Sequence, residues 1–272
     1  MAGNFFKAAK KEEALKYMNE NECKIIAGGT DLIIKMRQGK CNAQNIMDIS
    51  SVEEFRNIEK KDGRIIIGCC CTHSEIEKNP IIKSEVPVLA KGCSLVGSTL
   101  IRNRGTIGGN IVNNSNAGDS IPPLFILDAK LNISKYGSLR TADIKSGTHI
   151  EDKEILTSIE VEPLKGYKWD IVKVERRKSL AISRLTLAIA LKMNGNIIED
   201  LRIYPGAMLS HNQRLYGTEM FAKGNVLSEH FIEEAAQKAI LEVIGISGIR
   251  WSSEYKNPVL KGLIIRTLEG FM

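Results

Sequence analysis

Apolar residues recur along this chain with two different periods, and the changes between them mark out its elements. From Lys11 to Asn19 the apolar Ala14, Leu15 and Met18 share one face, and the composition favours a helix. A short apolar run over Lys24–Ala27 predicts a strand, followed by a glycine turn, a helix through Met36 and a strand at Ile46–Ile49. Asp62-Gly63 is a hairpin turn signal just before a strand at Arg64–Ile67. Thr72-His73-Ser74-Glu75 has capping-box spacing and predicts the start of a short helix. Val86–Val96 reads as a further helix. Leu131–Lys135 and Leu139–Thr141 flank a turn at Tyr136-Gly137-Ser138, and Ile155–Val161 alternates as a half-buried strand does.

The last hundred or so residues have a different pattern. Leu185–Met193 and Ile197–Tyr204 are joined by Asn194-Gly195, a strong hairpin signal, and helices are expected at Ser228–Val243 and near Pro258–Leu268. Strands grouped before helices argue for an α+β fold rather than a doubly wound sheet. The expected organisation is a small unit over residues 1–53, a second over 54–165, and a C-terminal layer over 166–272. No internal repeat or low-complexity linker interrupts it.

At 272 residues the chain is long enough for one or two domains with a real core. Its 43% hydrophobic and 26% charged residues are ordinary for a globular protein. The net charge of +6 is mild, the lysines are spread out and aromatics are few, so only the charge itself speaks for nucleic-acid binding. No 18-residue apolar run predicts a membrane span, and Met1–Lys11 has no stretch of signal-peptide length, so a cytoplasmic protein is expected. Of the six cysteines, Cys69, Cys70 and Cys71 follow the apolar strand and lack C-x-x-C spacing. They read as small buried residues rather than metal ligands. His73, His149, His211 and His230 show no triad or ligand spacing, so all four read as structural or exposed.

The chemistry is concentrated in two glycine-bearing segments, Ala27-Gly28-Gly29-Thr30-Asp31-Leu32 and Thr106-Ile107-Gly108-Gly109-Asn110-Ile111. A strand, a glycine turn and a helix start expose backbone N–H groups that favour an anion. Two such segments in one chain point to a long phosphate-containing ligand held at both ends. The spacing matches neither the G-x-G-x-x-G fingerprint nor a Walker A loop.

With Gly118-Asp119-Ser120-Ile121-Pro122-Pro123, Glu154-Ile155-Leu156 and the Lys173–Ser183 segment, these motifs resemble the FAD-binding medium subunit of molybdenum hydroxylases. That family includes bacterial xanthine, nicotinate and carbon monoxide dehydrogenases, and the resemblance covers essentially the whole chain. It implies a two-part FAD-binding domain of the vanillyl-alcohol-oxidase type over residues 1–165, followed by a smaller C-terminal α+β domain.

The resemblance also implies contacts. Backbone N–H groups of Gly28, Gly29, Thr30 and Asp31 would wrap the FAD pyrophosphate, with Ile26, Ala27 and Leu32 bounding the turn. Thr106, Ile107, Gly108, Gly109 and Asn110 would take the other side of the diphosphate and the ribityl chain. Asp119 would accept a hydroxyl hydrogen bond, Leu156 would sit at the adenine, and Lys173 would lie near the cofactor. Plainer readings stand beside these: Asp119 and Thr30-Asp31 as helix caps, and Arg176-Arg177-Lys178 as a solvated basic run. His211-Asn212-Gln213-Arg214 departs from the family, many of whose members carry a proline and an arginine there, and no cysteine-rich insertion for an extra cluster is evident.

No catalytic side chain and no metal ligand is expected on this chain. The implied function is electron relay through non-covalent FAD to NAD+ or another acceptor. Molybdopterin and two-iron, two-sulfur clusters would reside on a large and a small partner subunit. Two alternatives stay open: a self-contained flavin oxidoreductase of the same fold, and a non-catalytic nucleotide-binding scaffold.

Overall fold

The computed structural model describes residues 4–146, 150–175 and 183–272. Two compact units emerge: residues 1–115 with 128–163, and residues 116–127 with 164–272. The sequence pattern groups residues 54–165 together; in the structure Asn116–Leu127 packs within the second unit instead. His149 and the Arg176-Arg177-Lys178 run lie outside the described residues.

The first unit opens with β1 (Asn4–Lys7), α1 (Lys11–Glu20), β2 (Lys24–Ile26), α2 (Leu32–Arg37) and β3 (Asn45–Asp48). β3 lies between β1 and β2 in a parallel three-stranded sheet. Ala14, Leu15 and Met18 form the buried face of α1, as their spacing predicts. Next come β4 (Ile58–Lys61), β5 (Arg64–Gly68), α3 (His73–Lys78), α4 (Pro80–Glu85), α5 (Pro87–Ser94), α6 (Thr99–Arg102) and α7 (Ile107–Asn113). The Thr72 hydroxyl accepts from the Glu75 N–H and the Glu75 carboxylate accepts from the Thr72 N–H, so the capping box forms. The single helix expected over Val86–Val96 is preceded by a second one. Asn79 caps it and Pro80 occupies its first turn, while Pro87 begins α5.

The chain then contributes α8 (Ile121–Ile126) to the second unit and returns as β6 (Lys130–Lys135), β7 (Ser138–Asp143) and β8 (Ile155–Val161). These strands complete an antiparallel sheet in the order β4-β5-β8-β6-β7. Ile65, Ile67 and Ile159 are fully buried in it, each contributing about 1.5–3 kcal/mol by leaving water.

The second unit is built on β9 (Tyr167–Val174), β10 (Leu185–Asn194) and β11 (Ile197–Gly206), antiparallel with β10 central. α9 (Tyr216–Ala222), α10 (Glu229–Ser247) and α11 (Ser253–Glu269) follow. Leu185, Leu187, Ile189 and Leu191 join Ile232, Ala236 and Ile264 in one core. On the other face of β10, Ala188 and Ala190 are also buried, so the strand reads as a continuous apolar run. The hairpin keeps Asn194 in β10 paired with Ile197, which leaves Gly195-Asn196 as the turn with Gly195 at φ +58°.

Candidate functional site

The two glycine segments lie together in the first unit. Gly28 is in contact with the other loop: a Cβ there would fall 2.0 Å from the Arg104 carbonyl oxygen. Gly29 does a different job, turning the chain at φ +72° where L side chains are strained. Among the described residues, the N–H groups of Gly28, Gly29, Thr30 and Asp31 find no acceptor in the protein. Consecutive unpaired donors on a glycine turn form an anion-binding concavity.

Asp31 occupies the N-cap position of α2, but its side chain makes no capping bond. It accepts instead from Asn113 Nδ2 at 3.3 Å, and Asn113 Oδ1 accepts from Lys35 Nζ at 2.6 Å. This chain of contacts ties α2 to the end of α7 and was not foreseen from the sequence, which offers no local signal for a pair 82 residues apart.

The second segment is organised otherwise. Thr106 caps α7, its hydroxyl accepting from Gly109 N at 3.1 Å. Ile107 N donates to Cys71 O, Gly108 N to Cys69 O, and Asn110 N to Thr106 O. A Cβ on Gly108 would lie 2.6 Å from Cys69 Cβ, so this glycine permits α7 to approach the turn that follows β5.

A cavity of about 440 Å³ opens between the loops. Of the site candidates, Ile26 to Leu32, Thr106, Gly108, Gly109, Asn110 and Leu156 line it. Ile107 does not, because its side chain is fully buried in the core. Leu156 enters from β8 beside Ile155. Glu154, just before β8, is also in the wall. It takes a two-pronged hydrogen bond from Arg140 at 2.7 and 2.6 Å and another from Glu151 N at 2.9 Å. The Arg140 hydrogen bond holds its carboxyl below the ordinary glutamate range.

Asp119 and Lys173 belong to the second unit, where they meet each other rather than the cavity lining. Lys173 Nζ lies 3.0 Å from Asp119 Oδ2, and the same carboxylate accepts from Ser183 and Thr186. Lys173 also pairs with Glu175 at 3.3 Å. Burial pushes the Asp119 carboxyl up, opposed by the Ser183 hydrogen bond and the Lys173 charge. Asp119 does not cap α8, where Ser120 holds the N-cap position.

Cys69 reaches the cavity wall, with its thiol 3.8 Å from that of Cys70. Burial raises the Cys69 thiol well above its ordinary range and Cys71 to about 12, so both stay protonated and unreactive. Among the described residues no cluster of three or more His, Cys, Asp or Glu side chains is placed to hold a metal ion. His73, which reads from the sequence as structural or exposed, also lies in the wall.

The glycine turn and its unpaired donors fit a dinucleotide: two phosphates need converging N–H groups and close backbone approach. Comparison with known proteins agrees. Residues 1–163 match the model of the FAD-binding domain in molybdopterin dehydrogenase, and residues 170–270 that of the carbon monoxide dehydrogenase flavoprotein C-terminal domain. The glyceraldehyde dehydrogenase medium chain of Sulfolobus acidocaldarius is 29% identical, covering 98% of this chain and 97% of its own. A putative xanthine dehydrogenase FAD-binding subunit of Escherichia coli is 27% identical over 93% of this chain and 90% of its own. The fold is that of a chain of carbon monoxide dehydrogenase from Hydrogenophaga pseudoflava, with a TM-score of 0.91, 21% identity, and coverage of 99% and 96%. The resemblance read from the motifs therefore holds, and the chain belongs to the FAD-binding subunits of the molybdopterin dehydrogenases, as a flavin-dependent oxidoreductase component.

Proposed function

We propose that this chain holds FAD non-covalently in the cavity of its first unit and relays electrons within a larger hydroxylase. The observation that carries the reading is the run of four unpaired N–H groups at Gly28–Asp31 on the cavity wall. In this reading the first loop holds the pyrophosphate and Thr106–Asn110 flanks the ribityl side. Leu156 covers the adenine. Residues 1–165, in parts 1–53 and 54–165, serve as the cofactor domain, and residues 166–272 as the C-terminal domain. Asp119 and Lys173 contribute a buried charge pair with its hydrogen-bonding groups already satisfied in part by one another.

Bound FAD supplies the redox chemistry, accepting electrons singly and releasing them in pairs. The protein's part is to bind, orient and shield, and no side chain acts as nucleophile or base. The buried Cys69 thiol is a poor partner for covalent attachment, which supports non-covalent binding. The partners are a large molybdopterin-binding subunit and a small iron–sulfur subunit with two 2Fe–2S clusters, and NAD+ or another acceptor takes the electrons away. The assembly works in the cytoplasm, where the six thiols stay reduced.

The test is direct. Acid precipitation of the purified chain is expected to release all flavin to the supernatant, as FAD on chromatography. The isolated chain should show no hydroxylase turnover and should gain it on co-expression with both partners. Flavin retained in the pellet, or turnover of a hydroxylase substrate by the chain alone, overturns the assignment.

A further inference from the structure

His73 is 2% exposed and is part of the cavity wall. It opens α3, held there by the capping box and by its own N–H donating to Gly105 O at 3.0 Å. Its neighbour Ser74 is fixed by a hydrogen bond to Asn103. Against this anchored backbone the ring is an anomaly. Nδ1 is buried with no hydrogen-bond partner, and no hydrogen bond among the described residues reaches Nε2. Burial, with the Arg102 charge, lowers the imidazole to about 4, so at neutral pH it presents one N–H donor and one acceptor nitrogen.

Nδ1 is closed off from the cavity, so Nε2, which is not sealed in this way and is likewise unbonded, is the ring nitrogen through which a ligand or water supplies a partner. The ring's position indicates which part of a ligand it faces. A Cβ built on Gly105 would lie 3.4 Å from His73 Cδ2 and 3.5 Å from Thr30 Oγ1, which places the imidazole where the two glycine loops meet.

We infer that His73 is a further cofactor-binding residue, its imidazole hydrogen-bonding the diphosphate–ribose part of the dinucleotide between the two loops. The inference rests on the FAD assignment above. A hydrogen bond of this kind is neutral on the protein side, so it adds orientation without adding charge, and the backbone donors of Gly28–Asp31 remain the main hold on the phosphates.

The experiment uses the full chain stripped of flavin, with FAD as the probe. His73→Phe keeps the ring's volume and removes both nitrogens. The expected result is FAD affinity weakened roughly tenfold, the worth of one hydrogen bond. The thermal midpoint of the apo chain should be unchanged or higher, since an apolar ring leaves no polar atom unpaired. In the wild-type chain, FAD should move the ring 15N resonances of His73. Wild-type binding with an unchanged Kd in His73→Phe, or with unmoved 15N resonances, overturns this inference alone. A wild-type chain that binds no FAD overturns the parent reading together with it.

Discussion

Both glycine segments carry a Gly-Gly pair, ahead of α2 in the first and within the first turn of α7 in the second, yet they do opposite things with their backbone. At Gly28–Asp31 the N–H groups have no protein acceptor, and at Ile107–Asn110 each is bonded to Cys71, Cys69 or Thr106. The first loop therefore leaves donors open to a ligand, while the second spends its own on seating α7 against Cys69. A glycine pair read from sequence reports that something comes close to the backbone. It does not report whether that neighbour is a phosphate or another strand.

The strongest way to break this contrast is Gly29→Val. The residue sits at φ +72°, and a Cβ would meet Ile26 at 3.1 Å and Ile33 at 3.3 Å. A β-branched side chain turns the loop away from its left-handed conformation and misaligns its donors. Loss of one or two charge-assisted hydrogen bonds, at roughly 1.5–3 kcal/mol each, weakens FAD by about tenfold at the least. Flavin fluorescence titration should show that loss with far-UV circular dichroism close to normal. Equal flavin content in variant and parent would mean the free donors are not a phosphate site.

A second test bears on the junction of the loops. Unfolded, the His73 imidazole titrates near 6.5, and folded, burial and Arg102 hold it near 4. As pH falls through that window the unfolded chain takes up the proton first, so stability present above pH 6.5 is lost toward pH 4. For a difference of this size the loss is on the order of 3 kcal/mol. Urea denaturation of the apo chain at several pH values should show it, and His73→Phe should remove that part of the slope. A slope unaltered in the variant would assign acid sensitivity to other groups.

Local chemistry made much of the fold legible. The Thr72–Glu75 capping box, the face of α1 and the β10–β11 hairpin all follow from residues within a few positions of one another. β9 went unread because Lys168, Asp170 and Lys173 break its apolar run, and only pairing with β10 makes it a strand. The site was legible where backbone conformation dictates residue type, as at Gly29. It was not legible where partners are distant: Asp119 meets Ser183 across 64 residues and Lys173 across 54. His73 was hidden for a related reason. Its significance lies in a bond it lacks, and no pattern along the chain records that.

The finest test of the contrast separates two adjacent glycines in the second loop. On Gly108 a Cβ would come within 2.6 Å of Cys69 Cβ and 2.7 Å of Cys69 O, which are buried and fixed by the sheet. Gly108→Ala therefore forces α7 away from the turn after β5, an overpacking cost of about 1–3 kcal/mol. On Gly109 the added Cβ would meet only Thr106 Oγ1, at 2.9 Å. Displacing that hydroxyl weakens the helix cap by about 1 kcal/mol, while exchanging glycine for alanine inside a helix returns about 0.8–1 kcal/mol. Gly109→Ala should therefore leave the apo urea midpoint nearly unchanged, and Gly108→Ala should lower it. Neither variant removes a free donor, but Gly109 lines the cavity, so its added methyl competes with the ribityl side of FAD and FAD affinity in Gly109→Ala should fall while stability does not. Unchanged FAD affinity in Gly109→Ala would show that the second loop serves to seat α7 and does not approach the cofactor.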